Sequence, residues 1–132
     1  MKRVLFVCVG NSCRSQMAEA FARAYGSDVM MAASAGIAPA LMVAFDTKRA
    51  MQEKNLSLDD HFPKSLQQLK SVRFDLVVNM SGAELPDSVT APVRVWKVRD
   101  PIGMKYEVHR EIRDDIEKLV MDLILELRRN GK

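Results

Sequence analysis

The sequence has few cysteines and no cluster of zinc ligands. Only two cysteines, Cys8 and Cys13, occur among the 132 residues, and both lie near the N-terminus. Two thiols cannot form the framework of a disulfide-stabilised secreted domain, and they are too few for a structural zinc site. The two histidines, His61 and His109, have no Cys or His at ligand spacing, so we predict no metal site. The two thiols therefore need another explanation.

The sequence also lacks a strong charge imbalance and a long hydrophobic run. Lys and Arg number 20 against 17 Asp and Glu, a net charge of +3, which identifies no nucleic-acid or membrane surface. The first apolar run, Val4–Val9, is shorter than the core of a signal peptide, and no run approaches the roughly 18 to 20 residues of a membrane span. We therefore expect a cytoplasmic protein with reduced thiols, a monomer or weak dimer, that binds neither nucleic acid nor membrane.

Strands and helices are predicted to alternate along a chain of globular composition. Hydrophobic residues make up 48% and charged residues 28% of the 132 positions, which suits a single domain over residues 1–132. Apolar runs predict strands at Arg3–Val9, Val29–Ala33, Phe74–Met80 and Val93–Val98. Helical periodicity predicts helices at Ser15–Tyr25, Leu41–Lys54, Ser65–Ser71 and Val108–Leu127. This order predicts a three-layer α/β/α sandwich with a four-stranded parallel sheet.

The loop after the first strand lies where a parallel sheet binds its ligand, beyond the carboxyl ends of the strands. Its sequence is Cys8-Val9-Gly10-Asn11-Ser12-Cys13-Arg14-Ser15. Unpaired N–H groups at a helix start bind anions, and Gly10 and Asn11 tolerate the positive φ that lets a loop curl around an oxyanion. We therefore predict an N-terminal phosphate-binding loop in which Val9 to Ser15 contact the substrate.

Three side chains of this loop have chemical roles that follow from their types. The Arg14 guanidinium can hold two oxygens of an oxyanion. The Cys8 thiol at the base of this positive site should ionise readily and act as the nucleophile. Ser15 is placed to donate a hydrogen bond to the sulfur. The alternative, a buried strand cysteine before an ordinary N-cap serine, leaves the clustering of Gly, Asn, Arg and Ser unexplained.

The motif Cys8-x5-Arg14-Ser15, followed by Gln-Met-Ala-Glu-Ala, resembles the low-molecular-weight protein tyrosine phosphatase superfamily, which includes thioredoxin-coupled arsenate reductases. The resemblance covers the whole chain in order, through Ser34-Ala35-Gly36-Ile37, Phe74-Asp75-Leu76-Val77-Val78 and Asp100-Pro101. It implies that Asp100 is the general acid, that the reaction passes through a phosphocysteine at Cys8, and that no cofactor is required.

The resemblance leaves two features open. A second cysteine in the loop can protect the nucleophile through a reversible disulfide, so Cys13 is either a redox partner of Cys8 or a small packing residue. Asn11, Glu19 and Ser34 match positions that support the loop or hold a potassium ion in some relatives. Lys64, near His61, stands where those relatives have an acidic ligand, and its ammonium group is a candidate replacement for the ion.

Two activities are compatible with the sequence. The loop and the segment Val95–Val98 are similar to the arsenate reductases, but thioredoxin-coupled reductases use two more cysteines after the third strand, where this chain has Met80-Ser81-Gly82-Ala83-Glu84-Leu85-Pro86. That relay cannot operate here. We therefore expect hydrolysis of a phosphorylated protein or a small phosphomonoester. The alternative is arsenate reduction with an external thiol such as glutathione or mycothiol and a glutaredoxin-type partner.

Two further observations bear on the substrate and on other classes of function. Ile102-Gly103-Met104 replaces the aromatic pair that flanks a phosphotyrosine ring in many relatives, which leaves Tyr106 as the nearest aromatic candidate. A phosphocysteine carrier or an oxyanion-binding regulator is disfavoured, because Arg14 and Asp100 together would hydrolyse the adduct.

Overall fold

The fold is organised around a four-stranded parallel sheet. The computed structural model describes residues 1–131, and its strands, in the spatial order β2-β1-β3-β4, are β1 (Lys2–Cys8), β2 (Met30–Gly36), β3 (Leu76–Asn79) and β4 (Val93–Val95). The helices are α1 (Arg14–Tyr25), α2 (Phe45–Gln52) and α3 (Tyr106–Asn130), with a 3-10 helix at Gln67–Leu69. The four-stranded parallel sheet and the α/β fold are as predicted, and the loop between β1 and α1 lies at the carboxyl end of β1, an inner strand. The three helices all contribute to the core on one face, so the predicted layer on the other face contains the 3-10 helix and irregular segments.

One face of the sheet carries the main core. Side chains alternate along β1, so Val4 and Phe6 enter this core while Leu5 and Val7 enter a smaller one on the other face. The predicted apolar stripe of α3 is buried in the main core through Ile112, Ile116, Val120, Leu123 and Ile124. Each such side chain contributes about 1.5–3 kcal/mol, whereas a surface ion pair such as Arg94–Glu126 contributes about 1 kcal/mol or less. Apolar burial therefore holds α3 in place.

The opposite face of the sheet has a thin cover. Leu5, Val7, Ala35 and Val77 are buried there. The residues packed against them come from the 3-10 helix and from irregular segments near it and before β4 rather than from a full helix. No helix in residues 1–131 is long and apolar enough to cross a membrane.

The second helix is shorter than the predicted Leu41–Lys54. The preceding segment runs along the Cys8–Ser15 loop, where the N–H groups of Ala38, Ala40 and Ala44 donate to carbonyls of the loop at 2.9, 2.9 and 3.0 Å. In a helix that began at Leu41, the Ala44 N–H would donate to the preceding turn; because it donates to the Ser12 carbonyl instead and Ala44 is extended, α2 begins only at Phe45. Tertiary hydrogen bonding overrides the local helical periodicity.

Two other predicted elements are also shorter than expected. The helix predicted at Ser65–Ser71 is a 3-10 helix at Gln67–Leu69, preceded by a turn in which Ser65 and Gln68 exchange side chain to backbone hydrogen bonds. The strand predicted at Val93–Val98 ends at Val95, because the chain then leaves the sheet and brings the Val98 carbonyl to Arg14. Trp96 is a core residue, as predicted, but it lies beyond the strand.

Gly26 ends α1 as predicted, although not through a left-handed conformation. Its φ is −131°, which other residues can adopt. A Cβ at this position would lie 2.6 Å from Cγ1 of Ile124. The glycine is therefore required by the close approach of α3.

Candidate active site

The loop from Cys8 to Ser15 is tightly turned and mostly buried. Asn11 has a φ of 50°, as predicted, whereas Gly10 was expected to have a positive φ and does not. The single left-handed residue at Asn11 suffices for the turn. Gly36, at the end of β2, lets the loop pass: a Cβ there would lie 2.7 Å from the Val9 carbonyl oxygen and 2.9 Å from the Asn11 nitrogen. Any larger residue at position 36 would displace the loop.

Cys8, the last residue of β1, is hydrogen-bonded to Ser15. Its Sγ lies 2.8 Å from the Ser15 Oγ, as the sequence predicts. The Asn11 Nδ2 donates to the same hydroxyl oxygen at 2.7 Å. Because that oxygen already accepts from Asn11, its own proton is available for the sulfur. This direction of donation stabilises a thiolate at Cys8.

Gln16 and His61 extend this network behind the loop. The Gln16 Nε2 donates to the Asn11 backbone and side-chain oxygens at 3.1 and 3.2 Å, and the Gln16 Oε1 lies 2.9 Å from the His61 Nδ1. The Lys64 backbone N–H donates to the Asn11 Oδ1 at 2.8 Å. Gln16 and Asn11 are fully buried. The polar atoms that hold Asn11 in its left-handed conformation therefore come from two segments of the chain.

Arg14 is fixed by carbonyl groups from distant parts of the chain. Its Nη1 donates to the Met80 carbonyl and, at 3.0 Å, to the Val98 carbonyl. Its Nη2 lies 3.7 Å from the Asp100 Oδ2. The guanidinium is almost completely buried and the Asp100 side chain is half-exposed. One nitrogen thus orients the side chain, which leaves Nη2 and Nε to bind an oxyanion.

A cavity of about 240 Å³ joins these groups. Cys8, Arg14 and Asp100 line it together with loop residues, and Ala40 and Ile102 complete its wall. The structure thus brings the three predicted catalytic residues to one site. Of the predicted substrate-binding residues, Val9, Gly10, Ser12 and Cys13 line the cavity. Asn11 and Ser15 do not, because their side chains are hydrogen-bonded to each other behind the loop.

Cys13 lies at the N-cap of α1 and is buried. Burial raises the pKa of its thiol to about 12, and contact with the Thr47 hydroxyl offsets this only in part. Cys8 and Cys13 are both free thiols. Since a thiol must be ionised to attack another sulfur, these surroundings favour the packing role of Cys13 over the redox role. Its participation in a disulfide remains a prediction.

The residues that match a potassium site in some relatives form hydrogen bonds and an ion pair within this protein. The Glu19 carboxylate accepts a hydrogen bond from the Ser34 hydroxyl at 2.5 Å and pairs with Arg23 at 3.0 Å. The Lys64 Nζ donates to the Phe62 carbonyl oxygen at 3.1 Å. Arg23 rather than Lys64 is therefore the cation that contacts Glu19 directly.

Tyr106 does not line the cavity at Cys8. It begins α3, where the Arg49 guanidinium carbon lies 3.7 Å from its ring centroid. Tyr106 is therefore unavailable as an aromatic wall for the substrate. The exposed side chains of Val9 and Ile102 are apolar groups beside the site instead.

Removing the Ser15 hydroxyl tests the hydrogen bond to the nucleophile. We expect Ser15→Ala to slow turnover of p-nitrophenyl phosphate by about tenfold to a hundredfold, because a hydrogen bond to a charged group contributes about 1.5–3 kcal/mol. Steady-state kinetics measure the effect, with Ser71→Ala at an exposed turn as the matched control. Wild-type turnover in Ser15→Ala would show that the hydroxyl has no role in catalysis.

The lowered pKa of His61 predicts that the folded protein loses stability on acidification. Burial lowers this pKa and outweighs the opposing charge of Glu19, while the Arg23 and Lys64 charges lower the pKa further. The unfolded chain then takes up a proton near the usual pKa of about 6.5, whereas the folded chain does so only at lower pH. Stability is therefore lost as the pH falls below about 6.5. Urea unfolding at pH 7.5 and 5.5 should show a smaller loss for His61→Asn, and equal losses in both proteins would contradict this assignment.

Comparison with known proteins shows the family to which this chain belongs. Residues 3–132 match the sequence profile described as low molecular weight phosphotyrosine protein phosphatase. The chain belongs to this family. The glutaredoxin arsenate reductase of Synechocystis sp. is 30% identical over 131 residues, which cover 96% of this chain and 99% of that protein.

Solved structures of this low molecular weight phosphatase fold include both a reductase and a phosphatase. An arsenate reductase in the phosphate binding state has a TM-score of 0.88 at 31% identity, with 96% of this chain and 99% of that one covered. The YwlE arginine phosphatase from Geobacillus stearothermophilus has a TM-score of 0.86 at 25% identity, with 98% and 95% covered. The chain is therefore an enzyme of this family, and its phosphate-binding loop agrees with the phosphate-bound relative.

Several parts of the site were not found from the sequence. The carbonyls of Met80 and Val98 that fix Arg14 are backbone groups, which every residue has, so residue type gives no signal for them. Ala40 and Ile102 are apolar residues in irregular segments, and only the fold brings them to the cavity. Gln16 did carry a usable signal, since a buried amide on the face of α1 next to the loop needs polar partners.

Proposed function

We propose that this enzyme hydrolyses phosphomonoesters in the cytoplasm through a phosphocysteine at Cys8. The observation that carries the proposal is the distribution of thiols. Both cysteines of the chain line the cavity, but Cys8 has a hydroxyl donor at 2.8 Å, whereas burial raises the pKa of the Cys13 thiol to about 12. Hydrolysis needs only the first of these thiols, and the cytoplasm keeps it reduced.

The first half-reaction transfers the phosphoryl group to sulfur. The Cys8 thiolate attacks phosphorus, the S–P bond forms and the bond from phosphorus to the leaving oxygen breaks. The loop N–H groups and the Arg14 Nη2 stabilise the charge on the phosphoryl oxygens. Asp100, half-exposed at the cavity, gives its proton to the leaving oxygen.

The second half-reaction regenerates the enzyme. The Asp100 carboxylate takes a proton from a water molecule as the water oxygen attacks phosphorus. The S–P bond breaks, and phosphate leaves while Cys8 returns to the thiolate. The Ser15 hydroxyl donates to sulfur both as nucleophile and as leaving group. Both steps use groups that already adjoin one cavity.

Arsenate reduction with an external thiol is the second candidate, and the arsenate reductases among its relatives favour it. Cys8 would displace water from arsenate, and a small or protein thiol would attack the sulfur of the adduct. As(V) would leave as As(III), and the mixed disulfide would be reduced by a second thiol. In this chain residues 80–86 contain no cysteine, so both electrons must come from the external thiols.

One pair of assays separates the two activities. The first measures hydrolysis of p-nitrophenyl phosphate, a phosphotyrosine peptide and phosphoarginine, with a phosphine reductant as the only additive. The second measures arsenate-dependent NADPH oxidation, with a thioredoxin system and a glutaredoxin–glutathione system supplied separately. We expect hydrolysis in the first assay and no NADPH oxidation with thioredoxin alone.

The outcomes are distinct. Hydrolysis without NADPH oxidation supports the phosphatase. Absence of hydrolysis together with glutaredoxin-dependent NADPH oxidation overturns the phosphatase in favour of the second candidate. Rapid arsenate reduction with thioredoxin alone would contradict the inference that this chain has no cysteine relay to thioredoxin, on which both proposals rest.

A further inference from the structure

The thinly covered face of the sheet contains a second cavity. It has a volume of about 340 Å³ and includes Leu5 and Val77, which are paired neighbours on β1 and β3. No residue that lines this cavity also lines the one at Cys8. The two sites are therefore separate, and the volume lies within the range of about 300–1,000 Å³ that small-molecule pockets occupy.

The walls of this cavity are apolar side chains that the fold does not cover completely. Leu66, Leu69, Phe74 and Val89 line it and are each only partly buried, although they pack against the small core of this face. Removing such surface from water stabilises a complex by about 25 cal/mol per Å². An apolar ligand group would therefore gain free energy here.

The charged residues that line the same cavity carry a net positive charge. Lys70 and Arg73 both line it, and within residues 1–131 neither forms an ion pair. Asp75 also lines it, but its Oδ2 already accepts the Arg3 backbone N–H at 2.8 Å. That hydrogen bond and the nearby Lys2 and Arg73 charges hold its pKa below the usual value. The charged lining thus consists of two cations and one carboxylate that is already hydrogen-bonded.

We propose that this cavity binds a small aliphatic carboxylate, whose chain lies against Leu5 and Val77 and whose carboxylate contacts Lys70 and Arg73. The partly covered apolar walls and the two cations, which form no ion pair in the described part of the chain, favour a ligand that carries both an apolar chain and an anionic group. The proposal does not depend on the reaction at Cys8.

Titration of the isotope-labelled protein with sodium decanoate, below its micelle concentration and followed by amide NMR shifts, tests the site. We expect shifts at residues 66–75 and 88–92 and not at residues 8–15. Decyltrimethylammonium has the same chain length and the opposite charge, and we expect it to bind at least about tenfold more weakly. Sedimentation in both ligands shows whether the shifts come from self-association instead.

Two variants test the two halves of the ligand. The charge reversal Lys70→Glu/Arg73→Glu should weaken decanoate binding by about tenfold or more, whereas Lys118→Glu/Arg129→Glu, exposed on α3 across the sheet, changes the net charge equally and should alter it less than twofold. Ala91→Phe should fill the cavity and abolish binding. A dispersed amide NMR spectrum and an unchanged cooperative thermal unfolding transition show that each variant is folded.

Three results would overturn the proposal. Equal binding of decanoate and decyltrimethylammonium would mean that the cavity does not distinguish an anionic ligand from a cationic one. Equal losses in the two charge-reversed variants would mean a general effect of net charge. Shifts that accompany dimer formation would mean that this face is an interface between copies of the chain. If Ala91→Phe does not fold, the charge-reversed pair still decides.

Discussion

Cys8→Ser is expected to lower the turnover of p-nitrophenyl phosphate by at least about 10³-fold. A serine hydroxyl is a much weaker nucleophile than a thiolate unless a base activates it. Within residues 1–131, the side-chain group hydrogen-bonded to the Cys8 sulfur is the Ser15 hydroxyl, which donates a proton in the proposed mechanism, and Asp100 is protonated during the attack. Steady-state kinetics and trapping of a phosphoenzyme measure this loss.

The control for Cys8→Ser is oxyanion binding. The loop N–H groups and Arg14 do not depend on the sulfur, so the variant should bind phosphate or arsenate with an affinity close to that of the wild type. Isothermal titration separates a lost nucleophile from a collapsed loop. Full hydrolysis of p-nitrophenyl phosphate by the variant would refute the covalent mechanism at Cys8.

Asp100→Asn is expected to slow phosphate ester hydrolysis by about 10²- to 10⁴-fold, the usual contribution of a positioned acid. The asparagine is isosteric but has no proton to give. The loss should be smaller for p-nitrophenyl phosphate, which has a good leaving group, than for phenyl phosphate, whose leaving oxygen needs the proton more. Comparison of the two substrates measures the role directly.

Asp115→Asn, on the exposed face of α3, is the matched control for Asp100→Asn. It removes the same charge away from the cavity and should leave both rates unchanged. Equal losses for the two substrates in Asp100→Asn would point to altered binding through the contact with Arg14, 3.7 Å away, rather than to proton transfer.

The nucleophile loop was predictable because its information is local. Cys8, Asn11, Arg14 and Ser15 lie within one turn between a strand and a helix, so residue type and spacing place them together. The positions of the strands along the chain and the apolar stripe of α3 follow from hydrophobic patterning for the same reason. The structure confirms each of these, including the positive φ at Asn11.

Features that depend on distant segments were not predictable. The start of α2 moved to Phe45 because the preceding N–H groups bind the loop, and no property of Leu41 or Met42 indicates this. The anchors of Arg14 lie 66 and 84 positions away in sequence. The second cavity arises because irregular segments rather than a helix cover one face, a consequence of packing that short apolar runs do not encode.

The burial of the loop gives the enzyme an unusual relation between activity and unfolding. Residues from Asn11 to Ala22 are buried without interruption, and strands and helices surround them. Catalytic loops commonly belong to the least stable part of a protein, but the side chains of this one pack into the core, so we expect it to unfold together with the core. Residual activity after heating or denaturant challenge therefore reports the folded fraction, so that a colorimetric assay can rank the stability of variants throughout the chain.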